Sequence, residues 1–509
     1  MSIESQVGGA MGWSVAVRVV RFALGIASSI LIVRSLGAGT YGVLSVLRMI
    51  LAFVTAFASF GLAQAILRFV PEMKPRPADV RRLLVLTSLV QAVSWLLCVA
   101  VAVAAGGWLS HVLGVDLRPY LFLGVALTSF ELSALILGHS LNAYYDVKTQ
   151  AVAALVSSAL FLGTLVAGLA MEKGIVAVLV AGAAGHAGTA AVLLPALARR
   201  LRVTGAGAPA PAVRAGPSIP WGRLARYALP FGLISVLNLV TWRQSETLVL
   251  AHFWSPREVG LFDLAYKLPQ LVLEFIPLAV WPLVLAGYSE VYAADPSRAG
   301  RVVDKYYRLL FVLGAPISML GALVCTGVIP LLYGEEFRPA APLCAAFFLV
   351  FPLTFFGTPL SMSLYVLERT VTILLIYLAS AVVNVGLDLL LIPRHWQIGS
   401  IVPTSLVVVL TPFVYARVLS ARGFAYTIPW RFIGRAYAAS ASCFLLWPLR
   451  GLMQTLPGLA LFGAMAGLVV LLAFRVVRVV GPLEMDLIRR SRFPMSRALA
   501  AILGGEGRG

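Results

Sequence analysis

Five cations lie inside long apolar stretches of the 509-residue chain: Arg18, Arg21, Arg48, Arg243 and Lys267. A charge at the centre of a bilayer costs roughly 2.5–3.5 kcal/mol on insertion scales, so such residues must face a wet cavity, pair with acids or snorkel to an interface. Their spacing favours a cavity. Ser14, Arg18, Arg21, Gly25 and Ser28 fall on one helical face. Ser45, Arg48, Ala52, Thr55 and Ser59 make a second stripe, and Asp263, Lys267, Gln270 and Glu274 a third. Between them, the run from Ser235 through Asn238 and Arg243 to Glu246 is polar in an otherwise apolar span. Ser14, Asn238 and Gln270 would line the cavity beside the cations.

The chemistry such a cavity offers is anion binding, because a planar guanidinium donates two parallel hydrogen bonds to a phosphate or carboxylate. The intramembrane acids Glu246, Glu274 and Asp388 have two readings: they neutralise neighbouring cations, or they take up H+ or Na+ and couple transport to an ion gradient. Arg243 and Glu246, three apart, can pair on one helix, and Lys267 can pair with Asp263 or lie near Glu274. The first half sets three cations against Glu131 and the second sets two against three acids, so an anionic ligand is expected on the first half. The five histidines are scattered without metal-ligand spacing, and the four cysteines form no CxxC pair. No metal or cofactor is expected.

The elements that position these residues are membrane helices. The chain is 60% apolar and 12% charged, where soluble domains carry about 25% charged residues. Runs of about twenty apolar residues, each enough to cross a bilayer core, recur along its length. The fold class is therefore all-α, a polytopic membrane protein of about fourteen transmembrane helices. The spans fall near 11–33, 42–66, 83–105, 120–141, 151–171, 175–197, 227–250, 259–286, 309–329, 343–366, 371–391, 402–418, 436–450 and 458–474. With the N-terminus in the cytoplasm, inner segments hold 28 Lys/Arg and outer segments 7. That bias orients the chain with both termini inside. It also absorbs the net charge of +19, which in a soluble protein would suggest nucleic acid. The basic tail fits attraction to anionic lipids. The first span reads as a retained helix, not a signal peptide.

The two halves repeat. LGAGTYGVLSVLR, opening the second span at Gly42, corresponds to SPREVGLFDLAYK, opening the eighth at Gly260, an offset of 218. WLSHVLGVDLRPYL around Arg118 corresponds to IPLLYGEEFRPAAPL around Arg338, an offset of 220. Six spans per half give a parallel repeat about the membrane normal, and transporters place substrate at the interface of such repeats. The expected organisation is a six-helix lobe over 1–200, a cytoplasmic linker over 201–222, a second six-helix lobe over 223–420, and two last helices with a basic tail over 421–509.

The 6+6+2 arrangement, the opening VRSLGAGTYGVLSVLRMI…FGLAQAILRFVPE and the second-half RLARYALPFGLISVLNLV followed by SPREVGLFDLAYKL resemble the Wzx-type polysaccharide flippases. These belong to the multidrug/oligosaccharidyl-lipid/polysaccharide exporter superfamily, and the resemblance covers about residues 10–440. It implies two helical lobes that export polyprenyl-pyrophosphate-linked oligosaccharide from the inner to the outer leaflet of the cytoplasmic membrane by alternating access. It further implies a monomer without enzymatic activity, working beside a polysaccharide polymerase and other assembly proteins. Arg18, Arg21, Arg48 and Lys267 occupy helices comparable to those that carry cavity cations in the family. The alternatives are a lipid II-type flippase, a cation-coupled multidrug exporter and, less favoured, a membrane-embedded glycan polymerase or glycosyltransferase.

Overall fold

The computed structural model describes residues 3–73, 76–144, 146–206, 221–242, 245–367 and 369–481. Its contacts divide the chain into two compact units, Met1–Gly260 and Leu261–Gly509. Most of the expected linker, 207–220, lies outside the described residues, as does the tail beyond 481.

In the first unit, helix α1 (Ile3–Ser59) carries the first two expected spans. They meet at a kink at Gly37, whose φ of 70° lies in the left-handed region that glycine reaches without a Cβ clash. A short amphipathic helix α2 (Leu62–Met73) follows. Its apolar face, including Ile66, Phe69 and Val70, packs with Leu83, Leu141 and Leu193 from the next helices. These are α3 (Pro77–Val112), α4 (Arg118–Ala143), α5 (Val147–Ala170) and α6 (Gly174–Ala206). Asp146 caps α5, its side chain accepting a hydrogen bond from the backbone N–H of Thr149. Such a cap satisfies a donor that helix geometry leaves open. Past the linker, α7 (Trp221–Trp242) and α8 (Ser245–Phe253) still pack within this unit. Arg223 of α7 lies 3.3 Å from Glu72 and stacks over the Phe69 ring at 5.2 Å.

The second unit starts inside α9 (Pro256–Leu273) and continues with α10 (Phe275–Ala294), α11 (Ala299–Val328), α12 (Ala340–Val350), α13 (Thr354–Val366), α14 (Thr370–Ser420), α15 (Trp430–Ala441) and α16 (Leu456–Val476). Aromatic rings fill its core. Tyr266 meets Phe347 and Phe351 edge-on, with centroids 5.1 and 5.0 Å away. Helix α14 holds the eleventh and twelfth expected spans, separated by non-helical backbone at Trp396.

Eleven helices among the described residues are long and apolar enough to cross a membrane. The differences from the expected fourteen have local causes. The first two spans are continuous in α1 across Gly37. The eighth runs through α9 and α10, and several α10 side chains lie outside the described residues, so it is not among the eleven. The thirteenth, short and containing Pro448, is α15 followed by a 3-10 helix over Ser442–Gln454. A 3-10 helix rises about 2.0 Å per residue against about 1.5 Å for an α-helix. Tightening this segment lengthens it, so few residues gain the reach of a span.

The sequence repeat is visible in the backbone. Gly114 and Gly334, 220 apart, both take positive φ (61° and 111°) before the matching Arg-Pro pairs. Gly42 and Gly260 lie at a close crossing within the first unit. A Cβ on Gly42 would collide with the carbonyl of Pro256, and a Cβ on Gly260 with the carbonyl of Ala38. Only hydrogen fits at either position.

Candidate functional site

On α1, the stripe of the second span divides between tasks. Ser45 is buried and donates to the Tyr41 carbonyl of its own helix at 2.9 Å. Ala52 packs against the buried cluster of Met49, Ala56 and, from α7, Leu239. Thr55 donates to Glu131 of α4 at 3.2 Å. Arg48 is half-buried between these contacts and, like the exposed Arg21, has no ion-pair partner among the described residues. The side chains of Ser14 and Arg18 lie outside the described residues, and so does Arg243 entirely, with its expected pairing to Glu246.

Glu246 is 2% exposed in the first turn of α8, flanked by buried Ser245 and Thr247. The first turn of a helix favours a negative side chain there. Asn238 on α7 is half-buried.

In the second unit the α9 stripe forms two pairs. Lys267 Nζ lies 2.7 Å from Asp263 Oδ2. Asp263 is fully buried, whereas the Lys267 side chain is 34% exposed. Gln270 Nε2 donates to Glu274 Oε1 at 3.0 Å, one turn further on. Of the two partners open to Lys267 from spacing, the structure places Asp263 in contact. The cation therefore neutralises a buried acid while leaving part of its surface accessible.

Asp388 is fully buried on α14 and accepts from Asn384 Nδ2 at 3.3 Å. Beyond the Trp396 kink, buried Ser400 and Thr404 are joined by a 3.2 Å bond from Thr404 Oγ1 to the Ser400 carbonyl. The two arms of α14 run antiparallel, because Ser380 meets Thr411 at 3.4 Å and Gly399 backs onto the Leu391 carbonyl. This register sets Asp388 at the level of Val402 and Pro403, between Ser400 and Thr404. Sequence reasoning singled out Asp388 and missed Asn384, Ser400 and Thr404. Their signal was two polar pairs at i,i+4, Asn384–Asp388 and Ser400–Thr404, one on each side of the Trp396 turn.

Outside the spans, charge serves local structure. Asp146 is half-buried, which pushes its carboxyl up, but the Thr149 hydrogen bonds and the Arg200 guanidinium outweigh this and hold it below the usual range. Arg338 does the same for exposed Glu335 through a 2.7 Å contact.

Residues 31–342, more than half the chain, match the family described as polysaccharide biosynthesis protein. The chain belongs to the polysaccharide biosynthesis protein family. No curated protein matches it in sequence. Solved structures share the fold of this family member at low identity. It superposes with "Lipid II flippase MurJ, inward closed conformation" at a TM-score of 0.69 and 13% identity, covering 92% of this chain and 99% of that one. An inward-facing multidrug resistance MATE family transporter of the MOP superfamily gives 0.60 at 14% identity, covering 79% and 95%. A point mutant of the Vibrio cholerae MATE transporter VcmN gives 0.52 at 14% identity, covering 81% and 98%. The Wzx-type resemblance and the all-helical transporter fold both stand. A polysaccharide biosynthesis protein with eleven membrane-length helices among its described residues is a multi-pass membrane protein.

Proposed function

We propose that the chain flips a polyprenyl-pyrophosphate-linked oligosaccharide from the inner to the outer leaflet of the cytoplasmic membrane, for surface polysaccharide biosynthesis. The observation that carries this reading is the combination of its family with a flippase-like fold along 92% of its length. The cationic positions Arg18, Arg21, Arg48, Arg243 and Lys267 hold the pyrophosphate or acidic sugars, while the lipid tail stays in the bilayer. Arg21 and Arg48 are the leading candidates, since no carboxylate compensates them among the described residues. Alternating access of the two repeats moves the headgroup across. Asp388, Glu246 and Glu274 take up the coupling H+ or Na+, with Asp388 first because it is fully buried. The chain is oriented with both termini inside, acts as a monomer and passes its product to a polymerase.

Translocation in proteoliposomes tests this. Protein-dependent movement of an anionic lipid-linked oligosaccharide, but not of an uncharged lipid-linked glycan, is expected. Arg21→Ala and Arg48→Ala should reduce the rate while leaving protein abundance near normal. If neither lipid moves and a cationic dye is exchanged against Na+ or H+, the reading is overturned in favour of a multidrug exporter.

A further inference from the structure

A cavity of about 1170 Å³ opens in the second unit, away from the polar stripes. It is walled by Ser289 and Tyr292 near the end of α10, Ser297 of the following turn, Tyr365 at the end of α13, Arg369 and Arg422. Among the described residues, none of the intramembrane cations or acids singled out above lines it. Arg369 immediately precedes α14, and Arg422 lies in the turn that follows it. The two ends of this long, folded-back helix thus bring two guanidiniums to one cavity.

Both arginines are exposed, and neither has an ion-pair partner among the described residues. Their neighbours behave differently. Arg298 pairs with Asp295 at 2.9 Å and Arg308 with Asp304 at 2.9 Å. Asp295, next to Pro296 of the cavity wall, is occupied by Arg298 and by Ser297, whose hydroxyl it binds at 2.6 Å. Arg369 stands at the N-cap of α14 without using its side chain as a cap, so the helix's positive end adds to the same field. Guanidinium forks and a helix N-terminus around one cavity select phosphate oxygens. At about 1170 Å³ the cavity is at least as large as the pockets of about 300 to 1,000 Å³ that hold whole small molecules, so a lone phosphate would not fill it. The phosphate must carry a further group, and aromatic Tyr292 and Tyr365 offer it a partly apolar wall.

We propose that this cavity binds a pyrophosphate or phosphoester headgroup, with Arg369 and Arg422 gripping the phosphates. Its place on the cytoplasmic side rests on the orientation proposed above, and there it would capture the phosphate end of a lipid-linked substrate before transport. Its ligand chemistry does not depend on that orientation.

The test uses the full chain in nanodiscs of zwitterionic lipid, with farnesyl pyrophosphate, inorganic pyrophosphate and farnesol as probes. Affinities are measured for the wild type, Arg369→Gln/Arg422→Gln, Arg369→Lys/Arg422→Lys and Arg21→Ala/Arg48→Ala. The expected result is pyrophosphate binding that weakens at least tenfold in the double Gln variant. The double Lys variant, which keeps charge without the fork, should fall between, and the Arg21/Arg48 variant should keep this binding component. Binding of farnesyl pyrophosphate alone identifies a lipid-borne headgroup, and equal binding of inorganic pyrophosphate identifies a soluble phosphate source. Unchanged affinity in the double Gln variant, tight binding of farnesol, or no binding of either pyrophosphate overturns the proposal. Translocation measured on the same preparations separates the two readings. Transport by the wild type without Arg369/Arg422-dependent binding removes this site and leaves the flippase. Such binding without transport leaves the site and removes the flippase.

Discussion

Replacing Lys267 by Ala leaves the fully buried Asp263 without the ammonium 2.7 Å away. Breaking a buried pair by removing one partner costs about 3–5 kcal/mol, whereas an exposed pair is worth about 0.2–1 kcal/mol. Lys267 retains 34% of its side-chain exposure, which lets water screen the pair and lowers the figure from the buried limit. A loss on the order of 2–3 kcal/mol follows, large against the marginal stability of proteins. Reduced export in Lys267→Ala is therefore not by itself a sign of substrate contact. The discriminating assay is a double-mutant cycle over Lys267→Ala and Asp263→Asn, with thermal unfolding in detergent and proteoliposome transport measured on each member. The double variant should recover most of the stability lost in Lys267→Ala. If Lys267 also holds substrate, transport stays low in the double variant; if it serves only Asp263, transport returns with stability. Lys267→Ala unfolding at the wild-type temperature would refute the argument from the ion pair.

Other outcomes follow from the same structure. Gly42→Ala or Gly260→Ala should destabilise by about 1–3 kcal/mol, the usual cost of overpacking, because each new methyl meets a backbone carbonyl; thermal unfolding checks this. Asp146→Ala should lose about 1 kcal/mol with the cap, and Asp146→Asn less. Since the folded Asp146 carboxyl is held below its usual range, its contribution is full above the ordinary carboxylate pKa and is lost as pH falls through the lowered folded value. Melting curves of wild type and Asp146→Asn should therefore converge as acid is added, down to that range. Asp388→Asn should abolish any dependence of transport on a Na+ or H+ gradient while leaving the protein folded, which counterflow with and without an imposed gradient would read out.

Much of the architecture was legible from apolar run length, because a bilayer demands helices of a set length and offers backbone groups no other partner. The repeat was legible too, through Gly42, Gly260 and the Arg-Pro pairs. What the pattern hid was the choice made where several partners were open. The α9 spacing allowed Lys267 to approach either acid, and only packing decided for Asp263. Thr55 belonged to a stripe by periodicity, yet it bonds to Glu131 from another helix. Asn384, Ser400 and Thr404 looked like isolated polar residues in apolar runs, since side chains of this kind often bond back to their own helix. It takes the antiparallel register of the two arms of α14 to bring the Ser400–Thr404 pair alongside the Asn384–Asp388 pair. Span number was blurred for a different reason: hydropathy measures residues, whereas a membrane measures ångströms, and a 3-10 segment converts one into the other at a different rate.

The crossing at Gly42 and Gly260 carries one more consequence. Gly42 meets the carbonyl of Pro256, and Gly260 meets that of Ala38. Adding the repeat offset of 218 to 38 and 42 gives 256 and 260, so each contact is the image of the other. Reciprocity of this kind defines an isologous interface, in which one surface patch is complementary to itself. Locally, a single chain thus reproduces the contact that two separate copies of one half would make across a two-fold axis. A side chain that suits one half of such a patch must also suit its mirror position, and hydrogen meets that demand on both sides at once.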